Sequence, residues 1–180
     1  DASDDMLRML DGNPGMVKAW EKFVDDGLPP AFRRNISNLN QRTILDEWAE
    51  NIANATNKQK GNFGEIGADL DLNAKGYTSL QPRIDNIDSP GHNGIDIVVK
   101  KDGQYFIVEG KYKGSASLNP ADPTTGLPRQ MSDEWITQNN GQRLLEAVGG
   151  DQNLVDEILD AGYSRILAKV SPDEIGRAHV

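Results

Sequence analysis

The chain's 180 residues, 37% of them hydrophobic and 26% charged, supply enough apolar material for an ordinary globular core, and no apolar run approaches the roughly eighteen residues a membrane span needs. Cysteine is absent, which excludes disulfides, thiolate zinc sites and cysteine nucleophiles, and the only histidines are His92 and His179, so a metal here is expected to be a hard cation held by carboxylates. A net charge of −9 works against phosphate binding, so a nucleic-acid partner would require a local cationic groove on an acidic body.

Along the chain, composition changes near residue 60. Residues 1–60 read as an all-helical N-terminal segment. Its opening, Asp1-Ala2-Ser3-Asp4-Asp5, has no basic stretch followed by an apolar one, so no signal peptide is visible, as would hold for a piece of a longer secreted protein. Pro14 can begin a helix through Met16, Val17, Trp20, Phe23 and Val24, which Gly27-Leu28-Pro29-Pro30 ends. A second helix is expected from about Leu39 to Asn54. Residues 61–180 form a mixed pattern. Phe63, Ile66, Gly67 and Leu70 share one side of a helix over roughly 59–74, closed by Lys75-Gly76.

Loose alternation over 77–87 suggests a first strand, and Ser89 to Gly94 is turn chemistry. Ile95 to Val99 is strongly β-prone, Lys101-Asp102-Gly103 reads as a hairpin turn, and Gln104 to Glu109 is the antiparallel third strand. A proline-containing loop over 114–128 follows, of a length that is uncommon without a function. Helices at about 131–148 and 151–161, and a strand from Ser164 to Val170, complete the order α-β-β-β-α-α-β. The expected class is α/β (α+β), a mixed sheet flanked by helices.

Two neighbouring strands each carry a carboxylate, Asp96 and Glu109, inside apolar runs where charge is disfavoured. The tight turn between them lets both approach on one sheet face. Glu109 and Lys111 are two apart and project to that same face, with Gly110 between them expected to leave the opposite side open. Adjacent carboxylates repel unless a cation neutralises them. A divalent ion does so, and it can polarise a phosphate and acidify water, with Lys111 placed to orient or deprotonate that water or to stabilise phosphate charge.

Asp96, twelve intervening residues and Glu109-Gly110-Lys111 closely resemble the D…(D/E)-x-K motif of the PD-(D/E)xK, or restriction-endonuclease-like, nuclease superfamily, and the α-β-β-β-α-β order resembles its core fold. Glu65, within Gly61-Asn62-Phe63-Gly64-Glu65-Ile66-Gly67, looks like the helix glutamate that completes the metal site there. Arg129 to Ile136 looks like a segment common in bacterial polymorphic toxins of this fold, and residues 1–60 are similar to the lead-in of such toxin domains. One departure is Ile95, where the superfamily often has proline. The likeness covers about residues 60–170.

The resemblance implies a toxin domain of a contact-dependent or otherwise secreted system, delivered as part of a larger effector and acting in the target-cell cytoplasm. It implies DNA as substrate ahead of RNA, Mg²⁺ as cofactor with Mn²⁺ or Zn²⁺ as alternatives, and a cognate immunity protein as partner. Asp96, Glu109 and Glu65 are then the metal ligands and, with Lys111, the catalytic set. Lys113, Arg129 and Gln130 are candidate substrate contacts. Gln130 also fits a plain helix start, His92 reads first as a turn residue, and Trp20, Trp48 and Trp135 read as core. Rival readings are an RNase (tRNase) toxin of the same fold and a non-catalytic binding module in which the carboxylates are structural.

Overall fold

The computed structural model describes residues 30–112 and 117–175. The expected helix after Pro14, Trp20 and the position of Lys113 lie outside these residues. The chain divides into two compact units, residues 1–40 and 41–180. Of the first unit, the described part is the beginning of helix α1 (Pro30–Trp48), which opens on a proline whose fixed φ suits a first helical turn. The second unit holds everything else. It takes in residues 41–60, which composition had grouped with the lead-in segment, because Leu45 and Ile52 are buried in the same cluster as Phe63 and Ile66.

After a short 3₁₀ turn (Ile52–Asn54), helix α2 (Asn57–Ala74) starts at a capping box: Gln59 N donates to Thr56 Oγ1 at 3.2 Å and Thr56 N donates back to Gln59 Oε1 at 3.1 Å. Strands β1 (Thr78–Ser79), β2 (Ile97–Lys101), β3 (Gln104–Tyr112) and β4 (Tyr163–Val170) form one sheet in that order. The first two pairings are antiparallel and β3–β4 is parallel. The hairpin between β2 and β3 turns on Asp102 (φ 51°) and Gly103 (φ 76°), the left-handed pair that a two-residue turn requires. Between β3 and β4 run α3 (Asp133–Ala147) and α4 (Gln152–Ala161), and α5 (Pro172–Ile175) follows β4.

Period-two alternation divides the sheet between two cores. Ile97, Val99 and Val108 join Phe63, Ile66 and Leu70 of α2 on one face. Val98, Tyr105 and Ile107 join Trp135, Ile136 and Leu144 of α3, with Val155 and Ile158 of α4, on the other. The core reading of Trp135 therefore holds, and Trp48 packs against the first cluster.

The helix expected from about Leu39 to Asn54 runs instead from Pro30 to Trp48, and two further elements differ from the expectation. The first strand is two residues long, not eleven. After Leu80, whose N–H reaches Val98 O at 2.8 Å, the chain leaves the sheet. Pro82 has no N–H to offer a ladder, and the flanking Gln81 and Arg83 side chains are drawn to Asp69 on α2. That carboxylate is 1% exposed and accepts from Ser79 Oγ (2.6 Å), Arg83 Nε (2.6 Å), Gln41 Nε2 (2.8 Å) and Gln81 Nε2 (3.1 Å). Second, α3 is interrupted at its middle. Gln138 is extended, and Asn139 (φ 55°), Asn140 (φ 58°) and Gly141 (φ 75°) are left-handed. Among the described residues no helix is long and apolar enough to cross a membrane.

Candidate active site

Every described residue of the expected catalytic set meets at one end of the β2–β3 hairpin. In the β2–β3 register Ile97 pairs with Val108, so one further step sets Asp96 opposite Glu109. Asp96 Oδ2 accepts from Gly110 N at 3.1 Å, which fixes its carboxylate against β3. Glu109 and Lys111 do share a face, with Lys111 Nζ 2.7 Å from Glu109 Oε1.

Gly110 does not leave the opposite face open, as the strand alternation alone had suggested. Helix α2 fills that face, and a Cβ at Gly110 would stand 3.0 Å from Glu65 Cα and 3.2 Å from Gly64 O. Gly64 is equally tight, its added Cβ meeting Tyr112 N at 2.6 Å. The two glycines let helix and strand backbones nearly touch, and this contact brings Glu65 to the carboxylates of the strands.

Gln130, just before α3, completes the group. Its Nε2 donates to Glu109 Oε1 at 2.7 Å, while its Oε1 accepts from Asn119 N at 3.0 Å. The helix start itself belongs to Ser132, whose hydroxyl accepts from Trp135 N. Gln130 is therefore a strap between the long loop and a strand carboxylate. Arg129 is exposed and lines neither of the clefts described below.

His92, read from sequence as a turn residue, stands beside the carboxylates. Its Nε2 is 3.7 Å from Asp96 Oδ1 and 3.8 Å from Glu65 Oε2. Asn62 holds the preceding loop in place, donating to the carbonyls of Ile87 (2.7 Å) and Ser89 (2.9 Å). The donor atoms of Glu65, His92 and Asp96 lie within 4.8 Å of one another, so this group can hold a metal ion. The imidazole, however, is wired as a donor. Nδ1 accepts from Gly94 N at 3.2 Å, which puts the proton of the neutral ring on Nε2, facing the carboxylates. For Nε2 to ligate a cation, Nδ1 would have to take that proton and give up Gly94.

Electrostatics favour a cation on the carboxylates. Burial, followed by repulsion from Glu109 and Glu65, pushes the Asp96 carboxyl up to about 8. The Glu65 carboxylate beside it leads in raising the His92 pKa. Glu109 is 3% exposed, and while its Oε1 is shared by Lys111 and Gln130, its Oε2 is buried with no hydrogen-bond partner. A buried carboxylate oxygen without a partner is costly, and it is a ready hard-oxygen ligand. The donor atoms that converge are those of Glu65, His92 and Asp96, which could hold a metal ion, with Glu109 outside that set.

Two clefts open from this cluster, both lined by Glu65, His92 and Asp96. One of 340 Å³ adds Glu109, Lys111, Lys58 and Lys60. The other, of 520 Å³, runs along the interrupted helix α3. Comparison of the chain with family models, with curated proteins and with solved structures finds no match.

Proposed function

We propose that this chain is a metal-dependent nuclease with a restriction-endonuclease-like core that hydrolyses phosphodiester bonds in DNA. The observation that carries the reading is Glu109 Oε2, a buried carboxylate oxygen without a partner, on the strand residue that faces Asp96. Asp96, Glu109 and Glu65 would hold the cation, and their hard oxygens suit Mg²⁺ or Mn²⁺. When bound, a divalent ion supplies Lewis-acid polarisation of a phosphate oxygen and lowers the pKa of water.

The chain's own groups do the rest. Lys111 keeps an ammonium against Glu109, beside the cleft, where it can orient a water or stabilise charge on the phosphate. Gln130 fixes the Glu109 carboxylate through Oε1, so that Oε2 keeps its direction. His92 offers Nε2–H as a donor at the rim of the carboxylates. Lys58 and Lys60 give the cleft the local cationic edge that the net charge of −9 does not supply elsewhere. The wider reading of an antibacterial toxin delivered into a target cell and neutralised by an immunity protein rests on the likeness of the Arg129–Ile136 segment.

The test is incubation of the protein with plasmid DNA, and in parallel with total RNA, in Mg²⁺, in Mn²⁺ and in EDTA. Cleavage of DNA that needs the metal and disappears in Asp96→Ala supports the reading. No cleavage of either substrate in any divalent metal overturns it in favour of a binding module.

A further inference from the structure

We propose that the cleft along helix α3 is a nucleobase subsite that takes an unpaired base from the substrate strand, so that the protein acts on single-stranded or locally unpaired nucleic acid. The subsite rests on the nuclease reading above, and it specifies which form of the substrate that site accepts.

The two clefts sharing Glu65, His92 and Asp96 differ in charge. The 340 Å³ cleft has Lys58, Lys60 and Lys111 to hold phosphates. In the 520 Å³ cleft the shared carboxylates are joined by another, Glu146, and the only added cation is Arg143. Arg143 is already committed: it donates to Trp135 O at 2.7 Å and to Gln138 Oε1 at 3.0 Å, and it stacks 4.7 Å from the Trp135 ring centroid. Phosphates are therefore repelled from this cleft. What its wall offers is amides: those of Asn93 and Asn139, together with Gln138, whose Oε1 accepts from Arg143, and Gln142, whose Nε2 donates to Glu146 Oε1 at 2.8 Å. Amides pair their adjacent donor and acceptor with the edge of a base, which is neutral and presents the same alternation. The volume is of the size that small organic ligands occupy.

The broken helix is a second, independent observation. Asn139 and Asn140 adopt the left-handed conformation, which asparagine tolerates better than most side chains, and with Gln138 and Gly141 they interrupt a helix that resumes at Gln142. The interruption lies where Gln138 and Asn139 line the cleft that Asp96 also lines.

The difference in charge disfavours a paired base. In a duplex the base edges lie between two phosphate backbones, and bringing an edge into this cleft would press those phosphates toward Glu146 and away from the lysines of the other cleft. A base swung out of the stack enters alone, leaving its phosphate at the lysine-lined cleft.

The experiment uses the full chain as Asp96→Asn, to suppress cleavage, and measures fluorescence anisotropy with short labelled oligonucleotides of one sequence: single-stranded DNA, single-stranded RNA and blunt duplex DNA. Single strands are expected to bind about tenfold tighter than duplex. Asn139→Gly, which keeps the left-handed backbone and removes the amide, and Gln142→Ala, at an exposed position, should each erase that preference and leave duplex affinity unchanged. Lys60→Ala should weaken all three forms alike. Tighter binding of RNA than of single-stranded DNA supports the subsite and makes RNA the source of the base. Duplex binding at or above single-strand binding, or amide variants that weaken every form equally, overturns it. Metal-dependent plasmid cleavage by the unmodified protein together with duplex preference removes the subsite alone. Single-strand preference without cleavage supports the subsite and removes the nuclease reading.

Discussion

Gly110 on strand β3 passes so close beneath Glu65 on helix α2 that a Cβ on the glycine would stand 3.0 Å from the glutamate's Cα. The neighbouring contact, from Gly64 to Tyr112 N, would be tighter still at 2.6 Å, and in both places the obstacle is backbone, which cannot rotate away. Gly110→Ala and Gly64→Ala are expected to push α2 off the sheet, at a cost of about 1–3 kcal/mol. The shift moves Glu65 away from Asp96, and on the proposed nuclease reading a displacement of about an ångström would cost about a hundredfold in rate. Gly61→Ala is the control. Nothing lies within 4 Å of its Cβ, so it should gain about 0.5–1 kcal/mol from helix propensity. Thermal melts and cleavage rates of the three variants check this, and a Gly110→Ala protein indistinguishable from the parent would contradict it.

The cluster also dictates how stability depends on pH without metal. The Asp96 carboxyl rises from 3.8 to about 8, so between those values the folded state holds a proton that the unfolded state has released. Folding stability must then fall as pH rises through that window, with a slope of up to about 1.4 kcal/mol per pH unit. His92, raised from 6.5, acts in the same direction at the upper end. If Mg²⁺ is the ion these carboxylates hold, as proposed, it competes with the proton for the same oxygens and should stabilise more at pH 8 than at pH 5. Urea titrations in EDTA at several pH values measure the slope, and Asp96→Asn should flatten it. A metal-free stability that climbs across this range would show that the carboxylates are not crowded.

Much of this was legible because it is local. Asp102-Gly103 announces a two-residue hairpin, the hairpin sets the register, and the register sets Asp96 opposite Glu109. Period two then puts Lys111 beside Glu109. What could not be read is long-range. His92 reaches Asp96 locally, four residues along the chain, but its approach to Glu65 depends on α2, and nothing in Pro90 to Gly94 encodes that contact. The failed strand over 77–87 is explained by the pull of Asp69 on Gln81 and Arg83, from a position that reads as part of an apolar helix face. The break in α3 did have a signal. Asn139-Asn140-Gly141 is turn chemistry inside the segment expected to be helical over about 131–148.

Asp69 and Arg83 form a buried ion pair at 2.6 Å, with side chains 1% and 10% exposed, and Arg83 Nη2 also donates to Gln41 Oε1 at 2.7 Å. Removing either partner strands a charge away from water. Asp69→Ala or Arg83→Ala should each cost about 3–5 kcal/mol, and the double variant clearly less than the sum. Since neither residue lines the carboxylate clefts, variants that remain folded at low temperature should keep the parent's metal dependence of cleavage. Chemical denaturation of the two singles and the double supplies the coupling energy, and strict additivity would mean that the pair does not act as a unit.

Lys111 and Gln130 reach the same oxygen, Glu109 Oε1, both at 2.7 Å, but they should fail differently. The Lys111 side chain lines the cleft and also pairs with the buried Glu109, so Lys111→Ala should lower melting and, on the nuclease reading, cut cleavage about 10²–10⁴-fold at every metal concentration. Gln130 acts by holding the carboxylate. Gln130→Ala should leave Glu109 free to turn, raising the metal concentration needed for half-maximal cleavage about 10–100-fold, with much of the loss recovered at saturating metal. Cleavage titrated against Mg²⁺ separates the two effects. If excess metal rescued Lys111→Ala as fully as Gln130→Ala, the ammonium would be one more support for Glu109, and the group acting on the phosphate or its water would have to be sought elsewhere in the cleft.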